Sequence, residues 1–82
     1  MRGKDEYYIK SLLDTLEKDG VETIYELIIK QKLNSGSSAY SALINDLIAC
    51  CPSRKNWHNP RFKEIFKEDI KYYCNYYLTD DD

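Results

Sequence analysis

Helical periodicity, interrupted three times, is the feature that most constrains what this chain can fold into. Apolar residues recur at the i, i+3, i+4, i+7 spacing of one helical face in four stretches. The interruptions are Asp19-Gly20, then Asn34-Ser35-Gly36-Ser37-Ser38, then the interval from Pro52 to Asn59-Pro60. No stretch alternates apolar and polar residues as a half-buried strand does, and no segment repeats another. The pattern predicts an all-α fold, a small four-helix bundle with helices over about residues 4–18, 21–33, 38–51 and 60–78. A chain of 82 residues accommodates a single domain of this kind.

In the first helix Ile9, Leu12, Leu13 and Leu16 form the stripe, with Tyr8 on its edge. Gly20 suits the left-handed residue that closes a helix. Asp19 suits a cap for the next helix, since Glu22 three residues later would complete a capping box. The second helix carries Val21, Ile24, Tyr25 and Ile28, widened by Leu27, Ile29 and Leu33, so it should be central or have a second contact surface. Tyr40, Leu43, Ile44, Leu47, Ile48 and Cys51 mark the third, which Pro52 must stop. Asn59 and Pro60 are an N-cap residue and a first-turn proline for the fourth.

Composition removes several function classes. A net charge of −2 gives no broad attraction to nucleic acid or anionic lipid. No apolar run approaches the roughly 20 residues of a membrane span, and the first residues lack the pattern of a signal peptide. The cysteines number three, and Cys50 and Cys51 are neighbours, which fits reduced thiols in a cytosol better than a disulfide framework. Eight tyrosines among many Ile, Lys, Asn and Asp residues suggest AT-rich coding, common in small phage, viral and plasmid proteins. In that setting the expected location is the host cytoplasm.

Residues 50–62, CCPSRKNWHNPRF, collect the unusual side chains, including the single Trp and the single His. Zinc would need four convergent ligands, and Cys50, Cys51, His58 and Cys74 lack the paired spacing that supplies them. Adjacent cysteines on a helix point about 100° apart, and Cys51 sits in an apolar stripe where a thiol acts as a small hydrophobe. The expectation is therefore no metal and no cofactor. Catalysis lacks an orienting third group and an oxyanion-binding loop, so the chain is expected not to be an enzyme. Nucleic acid is the stronger alternative: Arg54, Lys55, Arg61 and Lys63 interleave with Trp57, His58 and Phe62 and could hold phosphates beside a stacked base. A helix-turn-helix reading fails on the third helix, which has no Arg or Lys for the major groove. The favoured reading of the stretch is a connector with Trp57 anchored in the core.

The tyrosine run of the fourth helix carries the sharpest functional expectation. Phe62, Ile65, Phe66, Ile70, Tyr72, Tyr73, Tyr76 and Tyr77 spread over roughly 160° of the helix, wider than the ~100° one groove covers. Tyrosine joins a large apolar body to a polar tip and is enriched in binding surfaces. Asp69 falls near the centre of this apolar face, where a carboxylate needs a partner such as Lys32. Tyr72, Tyr73, Tyr76, Tyr77, Asp69 and Trp57 are accordingly the expected contacts for a protein partner, possible self-association included, in the manner of an inhibitor or immunity protein. Asp80-Asp81-Asp82 oppose the helix dipole and should fray as a solubilising tail over 79–82.

Overall fold

A computed structural model describes residues 3–30 and 38–79 of the chain. Four α-helices run in order: α1 over Gly3–Asp19, α2 over Val21–Ile29, α3 over Ser38–Cys50 and α4 over Pro60–Thr79. A single 3-10 turn, Asn56–His58, precedes α4, and there is no strand among the described residues. The expected all-α four-helix bundle is the observed fold.

Three side-chain pairings fix the directions of the helices. The Tyr8 and Tyr40 rings lie 5.3 Å apart, which puts the starts of α1 and α3 at one end. Lys63 Nζ reaches Glu22 Oε2 at 2.8 Å, so α2 and α4 start together at the other. The Tyr77 hydroxyl donates to Asp46 Oδ2 at 2.6 Å, late in α4 and midway along α3. The bundle is thus up-down-up-down, and α4 packs on each of the other three helices.

Each helix buries the residues its period puts on one face. Ile9, Leu12 and Leu16 of α1 meet Ile24, Tyr25 and Ile28 of α2; Tyr40, Leu43, Ile44 and Leu47 of α3; and Phe66, Ile70 and Cys74 of α4. At roughly 1.5–3 kcal/mol for each fully buried large side chain, these residues supply most of the drive to fold. The solvent-exposed ion pairs Lys10–Glu6, Lys18–Asp14 and Lys30–Glu26 are screened by water and add little.

Two boundaries differ from expectation. Gly20 has φ 94° and ψ 167° and is itself the N-cap of α2, without a side-chain cap bond. Asp19 stays in α1, because the single linking residue leaves it no room for the non-helical geometry of a cap. The capping box with Glu22 therefore does not form, and Glu22 pairs with Lys63 instead. At the far end, α2 closes at Ile29 rather than at 33. Lys30 takes φ −92° and ψ 2°, the bridge conformation of a turn, while its N–H still donates to the Glu26 carbonyl at 3.0 Å. Side-chain period does not report where the backbone leaves helical geometry. Lys32 and Leu33 lie outside the described residues, as do Asp80, Asp81 and Asp82.

The connector between α3 and α4 follows its punctuation. Cys51 leaves α3 with its N–H on the Ile48 carbonyl at 3.3 Å, as the restriction before Pro52 requires. Ser53 Oγ accepts from the Asn56 N–H at 3.2 Å and starts the 3-10 turn. Asn59 Oδ1 then accepts from the Arg61 N–H at 3.0 Å, the N-cap bond foreseen for α4.

Candidate functional site

The wide apolar arc of α4 divides into a buried and a bare part. Phe66, Ile70 and Cys74 are fully buried, and Phe62, Tyr73 and Tyr77 are half-buried beside them. Ile65, Tyr72 and Tyr76 remain 47%, 63% and 54% exposed. They share one flank of the helix through spacings of seven and four residues, which a 3.6-residue period brings into line. The centre of the buried face lies at Phe66 and Ile70, not at Asp69. Asp69 is half-buried on the boundary between core and bare stripe, a correction to the expectation that it lies deep in the apolar face. The expectation counted Ile65, Tyr72 and Tyr76 in the apolar arc and left Cys74 out, which displaced its centre toward the tyrosines.

The exposed rings are organised. Tyr72 and Tyr76 are one helical turn apart and stack, with centroids 6.4 Å apart and planes 18° from parallel. Tyr73 stands edge-on to Tyr72 at 5.2 Å, and Tyr77 edge-on to Tyr76 at 5.1 Å. The two half-buried rings thus brace the two exposed ones against the α3–α4 seam, which limits the rotamers open to Tyr72 and Tyr76.

Asp46 and Cys50 of α3 complete this face. Asp46 receives the Tyr77 hydroxyl, and that bond pushes the Tyr77 pKa up to about 12, aided by burial. Burial, reinforced by Asp69, raises the Cys50 thiol to about 11, and its Sγ donates to the Leu47 carbonyl at 3.5 Å. The Tyr73 hydroxyl is raised by desolvation and then by Cys50, Asp46 and Asp69. Asp46 reaches this face through its bond to Tyr77, and Asp69 stands four residues before Tyr73 on the same helix, so the border of the face is acidic. Neither aspartate has an ion-pair partner among the described residues. Asp46 escaped sequence reasoning, although it is the single charged residue of α3.

The basic segment is arranged differently. Trp57 stacks on Tyr25 with centroids 3.8 Å apart and planes 4° from parallel, and meets Phe66 edge-on at 6.0 Å. Lys63 holds Glu22 and stands over the Trp57 ring, 5.5 Å from its centroid. Trp57 therefore ties the connector to α2 and α4 at the opposite end of the bundle from Tyr72 and Tyr76. Arg54, Lys55 and Arg61 are exposed and make no ion pair among the described residues.

Among the described residues no three of His, Cys, Asp and Glu stand close enough to hold a metal ion. Cys74 is fully buried with its pKa raised to about 12, while Cys50, the last residue of α3, and Cys51, the first of the connector, are half-buried. No described helix is long and apolar enough to cross a membrane. Compared with known proteins, the chain matches no family model, no curated protein and no solved structure.

Proposed function

We propose that this chain is a small protein-binding module that docks a partner on the bare flank of α4, through Ile65, Tyr72 and Tyr76 with Asp69 at their border. The observation that carries the reading is the stacked, braced and exposed Tyr72–Tyr76 pair. Two large rings left in water forgo the burial that drives a small core, and rings held in place lose little further entropy on binding. Aromatic anchors of this kind supply most of the energy at protein interfaces. Inhibitors and immunity proteins work in this manner, by covering a surface without chemistry of their own, and the compositional resemblance to phage and plasmid proteins suits that role.

Nucleic-acid binding through Arg54, Lys55, Arg61 and Lys63 has weaker support. Lys63 is paired with Glu22, and the Trp57 ring that would stack on a base is stacked on Tyr25. Paired variants separate the readings. Tyr72→Ala with Tyr76→Ala is expected to abolish retention of the partner on immobilised protein, whereas Arg54→Glu with Lys55→Glu leaves it intact. Oligonucleotide binding that weakens steeply with salt and disappears in the charge-reversed variant would establish the other reading.

A further inference from the structure

We infer that the segment docking on α4 is positively charged, with an arginine laid on the Tyr72–Tyr76 pair and its guanidinium directed to Asp69 and Asp46. This rests on the docking reading above and adds the chemistry of the partner. Three observations bear on it. The exposed rings present faces at the edge of a negative region, and an arginine plane stacks on tyrosine while its fork pairs with a carboxylate. Asp69 has no hydrogen bond or ion pair among the described residues, so it is available to an incoming cation. Asp46 spends one carboxylate oxygen on Tyr77, which leaves Oδ1 for a second donor.

The cations that the described residues place on α4 lie elsewhere. Lys71 is turned to the other flank of α4, where it reaches Glu68 at 3.8 Å. Arg61 is one turn before Ile65, away from the tyrosines. A second copy is a poorer occupant for the same reason. A two-fold dimer centred on Tyr72 and Tyr76 gathers Asp69 and Asp46 of both copies on one interface without a cation between them.

Hexa-arginine and hexa-glutamate peptides titrated into isotope-labelled protein test the inference by amide chemical shifts. Hexa-arginine is expected to move Asp69, Tyr72, Tyr73 and Tyr76 saturably and less so as salt rises, while hexa-glutamate moves none of them. Asp69→Asn should weaken hexa-arginine about fivefold, the scale of one partly screened pair, and Asp69→Glu should retain it. Shifts centred on other acidic residues such as Asp14 and Glu17, or indifference to Asp69→Asn, overturn the inference. Dimerisation lost in Tyr72→Ala with Tyr76→Ala would likewise overturn it while keeping α4 as the docking face. Intact partner retention by that double variant would instead remove the docking reading itself.

Discussion

Tyr77 and Asp46, 31 positions apart in sequence, meet at 2.6 Å and clamp the end of α4 to the middle of α3. A phenol donating to a carboxylate is a charge-assisted bond, stronger than a neutral one. It also holds Tyr77 where its ring supports Tyr76. One polar contact thus links the stability of the bundle to the geometry of the proposed docking face.

The same substitution at two tyrosines should have opposite results. Tyr77→Phe removes the bond to Asp46 and is expected to cost about 1–2 kcal/mol, reduced from the full value because the site is half-exposed. Tyr25 is 2% exposed, and its hydroxyl has no hydrogen-bond partner among the described residues. Tyr25→Phe keeps the ring on Trp57 and should leave stability equal or higher. Urea denaturation of the two variants decides the matter, and a larger loss at Tyr25 would contradict the assignment of the clamp.

Trp57 should behave as a core residue. Trp57→Ala removes the stack on Tyr25 and the edge contact to Phe66, with an expected loss of about 2–4 kcal/mol for a large ring not fully buried. Thermal unfolding followed by circular dichroism measures it. A change under 0.5 kcal/mol would free Trp57 for a surface role.

Alkaline pH should unfold this protein readily. Tyr77, Cys50 and Cys74 hold their protons more tightly in the fold than in the unfolded chain, with pKa values of about 12, 11 and 12. Their contribution is complete below the ordinary values of roughly 8.5 for Cys and 10 for Tyr, and is lost as pH rises through the folded ones. The urea midpoint should therefore hold near neutrality and fall between about pH 9 and 12. The same burial predicts that Cys74 resists thiol reagents at pH 8 unless the protein is unfolded. A midpoint independent of pH up to 11 would contradict the raised values of these three groups.

Asp69→Asn should change stability by less than about 0.5 kcal/mol, since no described residue depends on its charge for a hydrogen bond. A loss above 1 kcal/mol would show that Asp69 satisfies a structural partner.

The helices were legible because Gly20, Pro52 and Asn59-Pro60 punctuate a strong 3.6-residue period, and aliphatic residues declare a side. Ile9, Leu12, Leu16, Leu43 and Leu47 are buried where the period puts them. Tyrosine declares no side, because a ring with a polar tip is stable both in a core and at its rim. Tyr40 is buried and Tyr72 is not, although both sit in helical stripes. That ambiguity drew the arc of α4 past its true centre and placed Asp69 too deep. Ile48 shows the limit for aliphatics: it continues the α3 stripe yet is exposed. Asp46 was hidden for another reason, since its partner Tyr77 is distant in sequence and no local pattern announces the pairing.

Hydroxyl-radical footprinting of the free protein and of its complex with the retained partner addresses the docking face most directly. In the free protein Tyr72 and Tyr76 should oxidise rapidly, as should the exposed Tyr7, while Tyr25 and Tyr40 are protected. In the complex, protection should fall on Ile65, Tyr72 and Tyr76 and leave Tyr7 reactive. Rapid oxidation of Tyr72 and Tyr76 in the complex, with protection confined to the connector around Arg54 and Trp57, would contradict the docking face proposed for α4.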